Sequence, residues 1–108
     1  MTVDNPTWSS SEKKAARAAF DKALEVALAS TLAEFKTKAA AAITFSDMWE
    51  IEDYLKLQRR NLDQMFDYRY SQLTVVFATL IRQGYLDESS LSGLSEEKRK
   101  EIDRKSVV

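Results

Sequence analysis

The sequence predicts an all-α protein, and three observations lead to this prediction. Only two glycines and one proline occur in 108 residues, and their scarcity favours few turns and long uninterrupted elements. Alanine, leucine, glutamate, lysine and glutamine are plentiful, and all five are good helix formers. Apolar residues recur at steps of three and four along most of the chain, which is the period of amphipathic helices. We expect one domain, built as a long antiparallel helical hairpin plus a short C-terminal helix.

Composition and charge exclude several classes of function. The chain has no cysteine and no histidine, which removes disulfides, thiolate nucleophiles, the usual zinc sites and the commonest general base. The formal net charge is only -1, which argues against a nucleic-acid footprint. No apolar run approaches the length of a membrane span. We therefore expect a cytoplasmic protein without a signal peptide, membrane insertion, catalytic residues, metal site or cofactor.

The first helix is predicted over residues 10–42. Residues 1–8 contain a proline and show no periodicity, so we expect an extended N-terminal arm followed by a single helical domain over 9–108. Ser9 and Glu12 form the signature of a capping box. The apolar stripe of this helix comprises Ala16, Phe20, Leu24, Ala27, Thr31 and Phe35.

A second long helix is predicted over residues 46–83, after a short connection near 43–45. Thr44 or Ser46 supplies its N-cap. The spacing fits either one helix with a kink or two helices with a break near 67–70. Its stripe comprises Met48, Ile51, Leu55, Gln58, Leu62, Phe66, Arg69, Leu73, Val76 and Leu80, with Phe77 alongside. We expect Leu55, Leu62, Phe66, Leu73, Phe77 and Leu80 to form the core and the interface of an elongated dimer.

The C-terminal part is predicted to hold a turn and a short helix. Gly84 stands where a left-handed helix cap belongs. A last helix over 95–105 begins after Ser95, and Ile102 is its clear apolar anchor. A chain that folds into so few long helices has an elongated shape. Such a chain often completes its hydrophobic core by packing against a second copy of itself.

Trp49 is the strongest candidate for a binding residue. On the helical wheel it lies away from the apolar stripe, in line with Asp53 and Arg60, while Glu52 and Arg59 lie between the two stripes. Tryptophan and arginine dominate interface hot spots, so these five residues are our candidate partner-binding set. The alternative is that Trp49 packs under the first helix or the N-terminal arm.

Three other groupings have simpler explanations than a ligand site. Arg59 and Arg60 stand near carboxylates, so a solvated, salt-bridged face is a stronger interpretation than phosphate binding. The acidic cluster of Glu50, Glu52 and Asp53 contains no histidine and stands among cationic side chains, which argues against a metal site. The aromatic residues of the second half are spaced for packing rather than for a pigment: Phe66, Tyr68, Tyr70, Phe77 and Tyr85.

Several spaced motifs together give the chain a recognisable family pattern. They are Trp8-Ser-Ser-Ser-Glu12, Asp47-Met-Trp-Glu-Ile-Glu-Asp-Tyr-Leu-Lys-Leu-Gln-Arg59, Asp67-Tyr-Arg-Tyr-Ser71, Val76-Phe-Ala78 and Gly84. Over nearly its whole length the sequence resembles the fluorescence recovery protein family. The resemblance implies an all-α dimer, with possible higher oligomers, that carries no cofactor.

The resemblance also implies a partner. Members of the family bind photoactivated orange carotenoid protein through its C-terminal domain, speed its return to the orange resting form and help detach it from the phycobilisome. Trp49, Asp53 and Arg59 match the interaction site proposed for the family. The sequence departs from the better-known members of the family at two positions. Glu52 replaces a histidine, and Glu101 replaces a basic residue. The alternative is a helical dimeric adaptor without a carotenoid-protein partner.

Overall fold

The computed structural model describes residues 8–107 and contains four α-helices and one 3-10 turn in that range. The all-α prediction is confirmed, while the expected arm at 1–8 lies outside the described residues except for Trp8. The molecule is elongated, with principal extents of 60 × 27 × 26 Å. The elements are α1 (Ser10–Ala41), α2 (Phe45–Met65), α3 (Leu73–Arg82), the 3-10 turn (Glu88–Leu91) and α4 (Glu96–Ser106).

Reciprocal capping boxes begin both long helices. The Ser9 side chain accepts a hydrogen bond from the Glu12 amide at 3.1 Å, and Glu12 accepts one from the Ser9 amide at 3.0 Å. Thr44 and Asp47 repeat this arrangement at α2, so Thr44 rather than Ser46 is the N-cap. The Asp47 carboxylate accepts the Ile43 and Thr44 amides, and these bonds lower its pKa. The capping residues thus end the connection and start α2 sharply.

The predicted second helix is divided in two. The chain leaves the helical conformation after Met65 and resumes it at Leu73. Within this segment the Arg69 guanidinium binds the Asp67 carboxylate, with Nε 2.9 Å from Oδ1, and the pKa of Asp67 is lowered. Because the break interrupts the helical period, Arg69 is solvent-exposed and its placement on the core stripe was wrong.

The hydrophobic core lies at one end of the molecule. There the N-terminal half of α1 packs with α3, the 3-10 turn and α4, an assembly that we call the head. Its fully buried large side chains are Leu73, Phe77, Leu80 and Ile102. The rest of α1 pairs with α2 alone, and we call this part the hairpin. Most burial therefore occurs in the head, whereas much of the hairpin's apolar surface stays open.

Aromatic residues join the 66–72 segment to α1. The Phe20 ring meets Phe66 at 5.3 Å and Tyr68 at 4.8 Å between centroids, both edge to face. Trp8 is buried and packs against Tyr70 at 5.5 Å. Burial raises the pKa of Tyr68 to about 12. These aromatic residues serve packing, as their spacing indicated, and they fix the point where the chain turns from α2 into the head.

A buried ion pair closes the head. The Lys98 ammonium lies 3.2 Å from both carboxylate oxygens of Glu12 and 4.8 Å from the centroid of the Trp8 ring. The same carboxylate accepts the Ser95 amide at 2.9 Å. Glu12 thus caps the N-termini of both α1 and α4, and it ties together residues from opposite ends of the chain.

Gly84 ends α3 as the sequence predicted. Its φ angle is +81°, and it is the one residue of the described range with a positive φ. The Tyr85 amide returns to the Leu80 carbonyl at 2.9 Å, which is a helix-terminating bond of the left-handed cap. The chain then brings Leu86, which is buried, back onto the head.

The predicted core stripe is only partly buried within one chain. Leu62, Leu73, Phe77 and Leu80 are buried, and Phe66 is partly buried against the core. Leu55 remains 37% exposed and Met48, which also belongs to the stripe, 49% exposed. Met48 and Leu55 are therefore not part of the core of a single chain, because α1 covers only one side of α2 here, and the place of Leu55 in a dimer interface stays a prediction.

Candidate functional site

The candidate site lies on the solvent-facing side of α2. Trp49 stands in the second turn of this helix and is 58% exposed. An indole that is open to this extent does not pack under α1, so that part of the alternative is wrong, while the N-terminal arm lies outside the described residues except for Trp8. When a partner covers an exposed tryptophan, a large apolar surface is removed from water. This makes Trp49 a suitable anchor for binding a partner.

Acidic side chains flank the indole. Glu52 and Asp53 are both exposed. Glu52 lies 3.9 Å from the Lys56 ammonium one helical turn further on, and such a solvated pair contributes little to stability. Both carboxylates are therefore accessible to basic groups of a partner.

Arg59 and Arg60 are exposed as well, but they differ in their surroundings. Within residues 8–107 neither guanidinium forms an ion pair. The expectation of a salt-bridged face was thus wrong for these two residues. Arg59 lines the groove between α1 and α2, whereas Arg60 does not. The Arg59 guanidinium is consequently a cation at the rim of an apolar surface, where it is available to a carboxylate from outside.

The groove beside Arg59 is an apolar depression between α1 and α2. It has a volume of about 610 Å³. Its α1 wall comprises Phe20, Leu24, Leu28 and Thr31, and its α2 wall comprises Leu55, Gln58, Arg59, Leu62, Asp63 and Phe66. Leu28 is 51% exposed, as is Leu32 one turn further along α1. The hairpin thus presents exposed apolar side chains beside an apolar groove, a feature typical of an interaction surface.

Two polar contacts set the register of the hairpin. The Tyr54 hydroxyl donates to Glu34 Oε1 at 2.8 Å, and Gln58 Nε2 donates to Thr31 Oγ1 at 3.2 Å. Burial, with help from Glu34, raises the pKa of Tyr54 to about 12. Gln58 is a polar member of the predicted apolar stripe, and it makes this contact within one chain. These contacts hold the α2 face, and hence Trp49 and Arg59, in a fixed position relative to α1.

The tip of the hairpin is a feature that the sequence analysis missed. Ile43 and Phe45, on either side of the Thr44 cap, are 91% and 83% exposed. The sequence contained a signal, since a β-branched and an aromatic residue stand at the point where the helical period breaks. That signal was interpreted only as a connection. In the structure the tip is the most exposed apolar part of the described chain.

The described residues show no sign of a metal centre or of a membrane span. Between residues 8 and 107, no three acidic, histidine or cysteine side chains are grouped so as to hold a metal ion. Over the same range, no helix combines the length and the apolar character needed to cross a bilayer. What the α2 face offers is non-covalent contact: an open indole, unpaired guanidinium groups and an apolar groove.

Comparison with known proteins agrees on one family. A family model described as "Photoprotection regulator fluorescence recovery protein" matches residues 8–106. The fluorescence recovery protein of Synechocystis sp. PCC 6803 is 32% identical over 102 residues, which is 94% of this chain and 93% of that protein. The fold matches the structure of the Fremyella diplosiphon fluorescence recovery protein with a TM-score of 0.90 at 35% identity. It matches the Synechocystis structure with a TM-score of 0.89 at 29% identity, and both matches cover 94% of this chain and 100% of the other. The chain therefore belongs to the fluorescence recovery protein family of photoprotection regulators.

Proposed function

We propose that this protein binds photoactivated orange carotenoid protein, through the C-terminal domain of that partner, and accelerates its return to the orange resting form. This reversion ends the quenching of phycobilisome fluorescence. Membership in a family of photoprotection regulators supports the proposal. The observation that carries it is the open α2 face, where Trp49 and Arg59 are both accessible. The protein acts in the cytoplasm, beside phycobilisomes on the thylakoid surface, and it acts as a binding protein and not as an enzyme.

The mechanism is a shift between conformers of the partner. A protein that binds one conformer more tightly moves the equilibrium by the difference in affinity. To raise the rate, it must also stabilise the transition state in which the partner's domains close. Trp49 fills an apolar pocket, Arg59 pairs with a carboxylate of the partner, and Asp53 accepts from one of its donors. None of these steps requires a covalent intermediate.

The two acidic departures from the family pattern change this surface differently. Glu101 lies 2.8 Å from the Lys105 ammonium on α4, so its charge is partly compensated within the chain. Glu52 pairs only loosely with Lys56, at 3.9 Å. Glu52 therefore makes the α2 face more acidic than a histidine would, and we propose that it selects a partner with a basic group at the matching position.

The functional unit is a homodimer formed through the hairpin. The open groove and the exposed side chains of Leu28, Leu32, Met48 and Leu55 support this assembly. A second copy would remove these apolar groups from water, which is the main driving force for association. Leu55 and Phe66 thus serve the interface, whereas Leu73, Phe77 and Leu80 serve the core of each head.

The test follows dark recovery of photoactivated orange carotenoid protein by its absorbance, with this protein in excess. The wild type should speed recovery, and Arg59→Leu should reduce this effect at least tenfold because a partner carboxylate loses its cation. Arg104→Leu is the matched control, since it removes an exposed arginine from α4 and should change the rate less than twofold. Circular dichroism and light scattering should show an unchanged fold and oligomeric state in both variants.

Two outcomes would contradict the proposal. Unchanged recovery at excess wild-type protein rules out the carotenoid-protein partner and favours the alternative, a dimeric helical adaptor. An equal loss in Arg59→Leu and Arg104→Leu rules out a specific role for Arg59 and indicates a general effect of charge.

A further inference from the structure

We infer that the groove between the C-terminal end of α2 and α3 binds an extended, uncharged stretch of a partner polypeptide through its main chain. We call it the carboxamide groove, after the side chains on its walls: Asn61, Gln64, Gln72 and Gln83. Asn61, the residue of this groove nearest to Trp49 in sequence, lies roughly 18 Å from it along α2. The inference therefore concerns a second surface and does not depend on what binds at Trp49.

The first observation is that carboxamide side chains are concentrated at one place. Residues 8–107 contain five asparagine and glutamine residues, and four of them line this groove. Asn61 and Gln64 stand on α2, whereas Gln72 and Gln83 cap the two ends of α3. The fifth, Gln58, is bonded to Thr31 in the hairpin. Folding thus gathers side chains of one chemical type from two helices.

The second observation is that these carboxamides are free to bind a ligand. Between residues 8 and 107 none of the four side chains donates or accepts a hydrogen bond, and Gln72 occupies the N-cap position of α3 without capping it. The other polar groups of the lining are already engaged. The Thr79 hydroxyl donates to the Val75 carbonyl at 3.0 Å, and the Asp67 carboxylate is bound by Arg69. The unused hydrogen-bonding capacity of the groove therefore belongs to its carboxamides.

The chemistry of these groups matches a polypeptide main chain. A carboxamide offers an accepting oxygen and a donating NH2 group, so it can pair with both the N–H and the C=O of a peptide unit. Asp67 is the one ionisable side chain of the lining and is paired with Arg69, so a charged ligand would find no counter-charge. A helix has few free main-chain groups to offer, whereas an extended segment exposes them along both edges.

The dimensions of the groove fit a short extended segment. Gln72 and Gln83 are roughly 16 Å apart along α3, and an extended chain advances about 3.3 Å per residue, so about five residues fit between them. The groove has a volume of about 490 Å³, and its floor is aliphatic, formed by Met65, Val75 and Val76. Alternate side chains of an extended segment point to one face. We expect those that face the floor to be small and apolar.

The experiment uses the full chain labelled with 15N and an end-capped pentapeptide of alternating threonine and valine. Side-chain NH2 groups give their own signals in a 15N–1H spectrum, so each carboxamide reports its own contact. The peptide should shift the four signals of the carboxamide groove with one common dissociation constant of about 1 mM or lower. The signal of Gln58 should stay in place, because its NH2 group is already bonded to Thr31.

A methylated peptide tests whether the main chain is what the groove binds. The same pentapeptide with every main-chain nitrogen methylated keeps its side chains but cannot donate to a carboxamide oxygen. Its dissociation constant should be at least about fivefold higher, since several hydrogen bonds are lost. Equal binding of the two peptides would overturn recognition through the main chain.

Two variants test the assigned side chains. Gln64→Met with Gln72→Met keeps the length of both side chains and removes two carboxamides, so it should weaken peptide binding at least about fivefold. Glu97→Gln is the control, because it adds a carboxamide at an exposed position of α4 outside the groove. This variant should bind the peptide within about twofold of the wild type, and its new NH2 signal should not move. Circular dichroism should show an unchanged fold in both.

The remaining outcomes are equally decisive. Signals of the carboxamide groove that stay in place at millimolar peptide would overturn the inference, as would shifts confined to the groove beside Arg59. A double glutamine variant that binds as tightly as Glu97→Gln would remove Gln64 and Gln72 from the site and refute the assignment. The dark-recovery assay judges the proposed function separately, since it uses neither peptide.

Discussion

Replacing Glu12 with glutamine tests whether one carboxylate holds the two ends of the chain together. In the head, this carboxylate accepts hydrogen bonds from the Ser9 and Ser95 amides, and each of its two oxygens lies 3.2 Å from the Lys98 ammonium. A glutamine keeps the shape but offers only one accepting oxygen. Its amide group would face a backbone N–H or the ammonium, so at least one donor loses its acceptor and Lys98 loses its buried counter-charge.

The magnitude follows from the pKa of Glu12. Hydrogen bonds from Ser9 and Ser95, followed by Lys98, lower it from 4.5 to about 2. A shift of this size corresponds to about 3 kcal/mol of stability at neutral pH. Because the pKa is lower in the folded state, this contribution is fully present above pH 4.5 and is lost as the pH falls toward 2. Glu12→Gln should therefore be less stable by about 2–3 kcal/mol at pH 7 and similar to the wild type near pH 2.

The assay is chemical denaturation at equal protein concentration, repeated at several pH values between 7 and 2. At pH 7 the melting temperature should also fall by roughly 10 °C. Glu101→Gln is the matched control, because it breaks a half-exposed pair with Lys105 and should cost less than about 1 kcal/mol. A Glu12→Gln variant as stable as the wild type at pH 7 would refute the reasoning, as would a difference that does not change with pH.

Two further substitutions test the packing of the head. Gly93→Ala should destabilise the fold by about 1–3 kcal/mol, because its new Cβ would lie 2.6 Å from the Cβ of Ala15 on α1. Thermal unfolding should show this loss of stability. Adding Ala15→Gly should restore most of the lost stability, and a failure to do so would contradict the importance of this contact. Phe77→Ala should cost about 3–5 kcal/mol because Phe77 is fully buried. Val75→Ala on the same helix, where the side chain is 44% exposed, should cost less than about 1 kcal/mol in urea denaturation, and equal losses would contradict the assigned core.

Local signals in the sequence predicted the beginnings and ends of helices well. Ser9, Thr44 and Ser95 are N-caps in the structure, and Gly84 has the expected positive φ. These signals depend on backbone groups within a few residues of the capping side chain, so they can be recognised from a short window. The all-α class follows for the same reason, since few positions interrupt the helices.

The break at residues 66–72 was harder to define. It contains no glycine or proline, and the apolar spacing continues through it, so the pattern fitted one kinked helix as well as two helices. The structure favours two helices because Phe66, Tyr68 and Tyr70 gain aromatic contacts with α1 and Trp8. Such contacts join residues distant in sequence, and no local window contains them.

The outer face of α2 shows what periodicity can and cannot predict about a site. The period of the apolar residues placed Trp49 outside the apolar stripe, and this side chain is exposed in the structure. It also placed Leu55 and Leu62 on one stripe, although Leu55 is open and Leu62 is buried. A stripe identifies the apolar side of a helix but not the element that covers it. Along α2 that cover is α1 on one flank, whereas the other flank stays open to solvent in a single chain, and no periodicity in the sequence distinguishes the two flanks.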